Sequence, residues 1–266
     1  MNSDRNFDDL AERFQRKVYG GLKGEIRLAV LWHDIEQNLL NGGNEFLSIL
    51  EEPLRILDVG AGLGQLAIRL AKLGHQVVVN DISGEMLAIA KATAEQEGVL
   101  EQIEWHHCPL QNLSNEVKGH FDLVLCHAVI EWLADPDPLL LQLQGFLKDD
   151  GTLSFTYYNR HSLEYRNLIR GNFNLLKQET FTPDPGSLTP GNPIYPEQVK
   201  KWVADADMRV KSQSGIRVFH DYVTTERGGN GVPEDVIEME LKYSQQEPFL
   251  WLGRYIHLIL ENDRTG

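Results

Sequence analysis

The chain has 266 residues, 42% hydrophobic and 24% charged, a size and balance that suit one α/β domain with insertions better than two equal domains. Its formal charge of −14 excludes indiscriminate binding to nucleic-acid phosphate, so an RNA partner has to be met by a local basic patch. No apolar run approaches the roughly 18–20 residues that cross a bilayer, and the opening "MNSDRNFDDLAERF" carries acids where a secretory leader is basic and then apolar, so the expectation is a cytoplasmic chain with no membrane partner.

Phe7, Leu10, Phe14 and Val18 recur at helical spacing, and after the break "GGLKG" the positions Ile26, Val30, Leu31, Ile35 and Leu39 repeat it, which predicts two helices within residues 1–50. From residue 54 the apolar runs change character. "LRILDVG", "QVVVND", "IEWHHC", "FDLVLCHAV" and "TLSFTYY" read as strands, and 64–73, 83–97 and 137–147 between them keep a helical period. Such alternation over 54–158 predicts a parallel sheet covered on both faces around one core, with ligands at the carboxyl ends of its strands. Cys108 and Cys126 fall in strand-like runs without metal or redox spacing, so they read as buried reduced thiols and no metal is expected. Residues 159–194 read as an insertion, with a helix near 161–170 and an irregular loop, "PDPGSLTPGNP". A helix near 195–206, a strand near 208–219, an insertion over 223–248 with a helix near 233–246, and a last strand "LGRYIHLIL" at 252–260 complete the pattern.

The first strand ends in "LDVGAGLGQ", which places Gly60, Gly62 and Gly64 after Asp58 where the backbone turns into a helix and approaches a ligand with no side chain in the way. Gln65 stands where a dinucleotide fingerprint has its last glycine, which weighs against a dinucleotide enzyme, and the next strand ends in Asp81, suited to accept from ribose hydroxyls. This pattern from Leu54 to Tyr158, continuing through "HAVIEWLADPDPLLLQLQGFLKDDGTLSF", resembles the class I S-adenosylmethionine-dependent methyltransferases. A closer resemblance, carried by "RNFDDLAERFQRKVYG", "HAVIEWLADP", "YNRH", "GNF", "GIRVFHDY" and "QEPFLWLGRYIH", is to the bacterial tRNA 5-carboxymethoxyuridine methyltransferases.

That resemblance implies a doubly wound, Rossmann-like seven-stranded sheet with N-terminal helices and helical insertions after strands five and six. It implies S-adenosylmethionine as cofactor and methyl transfer to the carboxylate of 5-carboxymethoxyuridine at the wobble position, with the tRNA anticodon region as partner. Carried over by position, it implies cofactor contacts from Arg27, Gly60, Ala61, Asp81, Leu110, Gln111 and His127. Residue type alone leaves Arg27 open as a solvated arginine and His127 as a structural one. It also leaves open a methyltransferase of small carboxylic acids or a non-catalytic cofactor-binding module.

In such a sheet the sixth strand is parallel and the seventh antiparallel, so the ends of the fifth and sixth and the start of the seventh share the active-site edge. Tyr157, Tyr158, Asn159, Arg217, His220, Tyr222, Arg254 and Tyr255 are therefore expected at the substrate. Arginines and His220 would grip a carboxylate, which at its ordinary pKa needs no base, and tyrosines would stack on a splayed uracil. Strand alternation sets Arg217, Phe219 and Asp221 on one face and His220 and Tyr222 on the other, with Asp221 paired to an arginine as the bland alternative. In "NRHSLEYRNLIRG" Arg166 and Arg170 lie four apart, with Arg160 just before, and form the candidate phosphate patch.

Overall fold

Both faces of the sheet are covered, which is why its inner strands read as nearly unbroken apolar runs. The computed structural model describes residues 4–14, 20–39, 52–178, 188–225 and 227–263. After a 3-10 turn at Asp8–Leu10 come α1 (Ala11–Phe14) and α2 (Leu22–Leu39), then β1 (Arg55–Val59), α3 (Gln65–Lys72), β2 (Gln76–Asp81), α4 (Gly84–Gln96) and β3 (Ile103–His107). The chain continues through α5 (Leu113–Glu116), β4 (Phe121–His127), α6 (Leu139–Gln144), β5 (Leu147–Tyr158), α7 (Arg160–Ile169) and α8 (Phe173–Leu176). It ends with α9 (Pro196–Asp205), β6 (Met208–Ile216), α10 (Pro233–Tyr243) and β7 (Tyr255–Asn262).

The sheet runs β3-β2-β1-β4-β5-β7-β6, with β7 antiparallel between β5 and β6 and the other neighbours parallel. Tyr255 pairs with Tyr158 on one side and Ile216 on the other, so the ends of β5 and β6 and the start of β7 do share one edge. The expected single core is divided by the sheet. Leu57, Val59, Phe155 and Tyr157 belong to one buried cluster with Trp202 of α9, and Ile56, Leu123 and Tyr158 belong to another with Ile26 and Ile35 of α2, as the period of two requires.

The sixth strand is shorter than its apolar run suggests. Pairing stops at Ile216, Arg217 adopts a left-handed φ of 61°, and His220–Tyr222 forms a 3-10 turn. The reason lies on α10: the buried Glu240 carboxylate accepts the backbone amides of Val218 (2.7 Å), Phe219 (3.2 Å) and His220 (2.8 Å), wrapping the segment around one acceptor and ending the extended conformation. Strand faces therefore do not sort this segment. β7 starts at Tyr255 rather than Leu252, β5 starts at Leu147, and α10 stops at Tyr243 rather than 246. Val18 and loop residues 179–187 lie outside the described residues.

Candidate active site

A cavity of about 400 Å³ opens at the carboxyl edge of the strands, between the loop after β1 and the start of β7. β1 leads into Gly60, whose φ is 64°, and a Cβ there would stand 2.4 Å from Cγ2 of Val129, so no side chain fits. The loop is tied to the end of β2: Asp81 accepts the amide of Gly62 through Oδ2 and that of Ser83 through Oδ1, each at 2.8 Å. Burial raises the Asp81 pKa and these two amides oppose the rise. A carboxylate has about four acceptor positions, so Asp81 retains capacity for donors from the cavity it lines. Beside it, burial and the Asp81 charge push Asp58 up to about 8.

At the end of β4, Ala128 takes a φ of 57° and donates its amide to Thr156 Oγ1 at 2.8 Å. His127, which precedes it, lines the cavity. Burial first, then the neighbouring His257 and Arg27, hold it well below its ordinary pKa, so it is neutral. Arg27 reaches the cavity from α2 and lies 5.3 Å from the Tyr255 ring. Ala61 and Leu110 also line it, whereas the exposed Gln111 turns away and donates to Asp4 at 2.8 Å. Among the described residues no group could hold a metal ion, and no helix is long and apolar enough to cross a membrane.

Lys23, Arg166, Arg217 and Arg254 converge at the far end of the cavity around one carboxylate, Asp221. Asp221 lies 3.6 Å from Arg217 Nη1, 3.4 Å from Arg254 Nη1 and 4.0 Å from Lys23 Nζ. Burial pushes its pKa up, but the charges of Arg217 and Arg254 outweigh that and leave it lowered. Burial pulls Arg217 down to about 10 against the pull of Asp221. The Nε groups of Arg217 and Arg166 are buried with no hydrogen-bond partner. One internal acid among four cations leaves this end strongly positive in an acidic chain.

Several expected substrate residues serve the scaffold instead. Tyr157 is in the core, stacked on Phe155 at 6.4 Å, and Tyr158 lies beneath Arg254 at 5.1 Å. Asn159 donates to the carbonyls of Trp251 (2.8 Å) and Gly253 (2.9 Å) and accepts from the His161 amide at 3.1 Å, capping α7. Tyr222 donates its hydroxyl to the Leu252 carbonyl at 2.6 Å and shares a bond with Ser162 at 2.8 Å. None of these residues lines the cavity, and neither does His220, since the turn around Glu240 brings Asp221 to the cavity instead. The candidate phosphate arginines, Arg160 and Arg166 of α7 and Arg170 at its C-terminal end, are divided as well. Arg160 pairs with Glu164 at 2.9 Å, Arg166 turns into the cavity, and Arg170 reaches the Asp221 carbonyl at 3.3 Å. Arg217, Arg254 and Tyr255 do meet at the cavity.

Sequence reasoning missed Lys23, Val129 and the N-terminal lining residues Asp4, Arg5 and Phe7. Phe7 packs edge-on against Trp132 at 4.8 Å, the Arg5 amide donates to the Trp132 carbonyl at 3.1 Å, and Asp8 accepts from Ser83 Oγ at 2.6 Å beside the start of α4. The helical spacing of Phe7 marked an apolar face, but not what this half-buried ring packs against.

Residues 57–155 match the family described as Methyltransferase domain. Over 255 residues the chain is 40% identical to the tRNA 5-carboxymethoxyuridine methyltransferase of Escherichia coli (strain K12), covering 96% of this chain and 95% of the relative. It is 34% identical over 117 residues to the ubiquinone biosynthesis O-methyltransferase of Acinetobacter baumannii (strain ACICU), 44% of this chain and 49% of that one. Among solved structures it resembles the putative methyltransferase complexed with the Haloferax volcanii Trm112 activator, with a TM-score of 0.59, 15% identity and coverage of 97% of this chain and 96% of that one. It also resembles magnesium protoporphyrin IX methyltransferase from Synechocystis PCC 6803 with bound S-adenosylhomocysteine, with a TM-score of 0.53, 16% identity and coverage of 78% and 88%. At those identities the two structures show that the class I methyltransferase fold is shared.

Proposed function

The chain belongs to the tRNA 5-carboxymethoxyuridine methyltransferase family, and from that premise we propose that it methylates the carboxylate of 5-carboxymethoxyuridine at the tRNA wobble position, giving the methyl ester. The carrying observation is the surplus of positive charge around Asp221, where Lys23, Arg166, Arg217 and Arg254 await a second anion. Planar guanidinium groups suit a carboxylate because their paired N–H groups match its two oxygens.

The cavity residues fit S-adenosylmethionine, which when bound supplies the activated methyl group. Gly60 and Ala61 leave the floor of the loop free of bulk, Asp81 keeps acceptor positions for ribose hydroxyls, and Arg27 is placed to pair with an amino-acid carboxylate beside neutral His127. Leu110 flanks the region where the base would lie. The acceptor is already ionised near neutrality, with an ordinary carboxyl pKa of about 4, so no side chain has to remove a proton. Arg217 and Arg254 therefore act by orientation, and because both also hold Asp221 they grip the acceptor without fully quenching its charge. The segment around Phe7 and Trp132 walls the cavity against water.

tRNA is the partner in this reading, and the cytoplasm the compartment where the two meet. Exposed Arg170, bonded to the carbonyl of the cavity-lining Asp221, is the best-placed phosphate contact of the three candidate arginines. The test is transfer of labelled methyl from S-adenosylmethionine to tRNA that bears or lacks the carboxymethoxy group. Base-labile label on the former alone is expected. Equal labelling of both, or of neither, overturns the assignment.

A further inference from the structure

Behind His127 runs a buried chain of hydrogen bonds that the proposed reaction does not itself require. Asp34 of α2 lies 2.7 Å through Oδ2 from His257 Nδ1 of β7, His257 Nε2 lies 2.7 Å from Ser154 Oγ of β5, and Ser154 Oγ lies 2.8 Å from His127 Nε2. Gln245 donates to the other oxygen of Asp34 at 3.1 Å. Asp34 is 1% exposed, and Ser154 and His257 are 0% exposed. The first three groups have the connectivity of a hydrolytic triad, but no substrate reaches the serine, and its remaining neighbour is another imidazole.

Hydrogen-bond chemistry gives the chain a direction. A carboxylate only accepts, so His257 donates from Nδ1, and with that single proton on its ring its Nε2 accepts from the serine hydroxyl. Ser154 has a single proton. Having given it to His257, its oxygen must accept from His127, which fixes the proton of His127 on Nε2. The other nitrogen, Nδ1, makes no hydrogen bond among the described residues and belongs to a ring that lines the cavity next to Arg27. We propose that Asp34, His257 and Ser154 are positioning residues that lock His127 as the Nε2–H tautomer, so that its Nδ1 accepts from the ammonium group at the amino-acid end of the cofactor. Arg27 takes the neighbouring carboxylate. The inference rests on the cofactor reading above, but not on tRNA as acceptor.

The test uses the full chain with 15N-labelled histidine and no tRNA, reading the two ring nitrogens of His127 by long-range proton–nitrogen correlation. The wild type should show a protonated Nε2 and a bare Nδ1. In Asp34→Asn, Gln245 continues to hold the amide oxygen and the NH2 group faces His257, so every bond in the chain reverses and His127 becomes the Nδ1–H form. Affinity for S-adenosylhomocysteine then falls about 10- to 100-fold, the loss of one charge-assisted hydrogen bond, while 5′-methylthioadenosine, which lacks the amino-acid end, binds as before. Should Asp34→Asn not fold, Ser154→Ala breaks the chain at its middle and should give mixed tautomers with the same selective loss. A wild-type Nδ1–H tautomer, or equal loss of both compounds, overturns the proposal. Failure of the wild type to bind either compound overturns the cofactor reading and the proposal with it, a result distinct from loss of tRNA methylation alone.

Discussion

Arg254→Ala is the sharpest perturbation of the proposed clamp. Arg254 carries five N–H donors, one of which is committed to Asp221 at 3.4 Å, and its guanidinium rests 5.1 Å above the Tyr158 ring. Its removal leaves Asp221 with Arg217 at 3.6 Å and Lys23 at 4.0 Å, so the internal carboxylate stays paired while the acceptor loses one of its two principal donors. Removing one partner of a buried, hydrogen-bonded charge pair costs about 2–5 kcal/mol in binding, which corresponds to roughly 30- to 5,000-fold. Because Lys23, Arg166 and Arg217 remain at the same end, the lower part of that range applies, and kcat/KM for tRNA bearing 5-carboxymethoxyuridine should fall about 30- to 300-fold. Arg254→Lys should recover less than about tenfold, since a point charge cannot serve Asp221 and a second carboxylate through one planar fork. Steady-state methyl transfer gives the rate, and titration with S-adenosylhomocysteine, expected to change by less than about threefold, separates the clamp from the cofactor half. An Arg254→Ala enzyme within about threefold of wild type in kcat/KM would refute carboxylate recognition at this end of the cavity.

Gly60→Ala should abolish S-adenosylhomocysteine binding and lower stability by about 2–4 kcal/mol, from the left-handed φ and the 2.4 Å approach to Val129; in urea denaturation Val129→Ala should recover about half of that loss, and no recovery would refute the packing account. Glu131 is 3% exposed, and burial, opposed by its own backbone amide, by Arg27 and by the Tyr158 amide, pushes its pKa from 4.5 to about 8. The folded state thus keeps a proton that the unfolded chain has released, stability falls as pH rises from 4.5 to about 8, and Glu131→Gln should gain on the wild type across that window by several kcal/mol in order of magnitude. A constant difference between the two from pH 5 to 9 in thermal melts would place the proton elsewhere. Arg170→Ala should reduce the salt slope of tRNA binding by about one unit, while Arg166→Ala, turned into the cavity, should reduce methyl transfer without changing that slope.

What was legible in the sequence followed from short-range periodicity. Five apolar runs at β1 to β5 became five strands, and the positions after Val59 and at Asp81 fell where a βα turn and a strand end must put them. The convergence of Arg217, Arg254 and Tyr255 was legible from topology, since the ends of β5 and β6 and the start of β7 share an edge in an antiparallel pairing. What failed was long-range. Nothing local in "RVFHDY" shows that three of its amides will find Glu240 on a helix about twenty residues later, and β propensity therefore overran the strand end. Tyr157 and Tyr158 were placed at the rim by sequence position, yet their rings fill the two faces of the sheet, because residues just before a strand end still alternate into the cores. Lys23 belongs to the site only because α2 packs across β6 and β7, a tertiary choice that its amphipathic pattern permits but does not specify.

An arginine clamp has to be stable before its substrate arrives. Two nearly buried guanidinium groups without a counter-ion would oppose folding, since an uncompensated buried charge is among the most destabilising groups a core can hold. Asp221 meets that need from within, and its position depends on a chain of local compromises. Arg217 accepts a left-handed backbone, a strain of about 1–2 kcal/mol, so that the next residues can turn; Glu240 secures the turn through three amides; and the 3-10 turn delivers Asp221 between Arg217 and Arg254. The internal carboxylate is weakly held for a buried pair, at 3.4 and 3.6 Å rather than at the shorter distances usual for charge-assisted bonds. Loose pairing leaves hydrogen-bonding capacity unused, as the buried, partnerless Nε groups of Arg217 and Arg166 also do. A site with tighter internal pairing would fold more stably and bind a substrate carboxylate less well, so the long contacts to Asp221 fit a cavity whose fourth wall is the substrate.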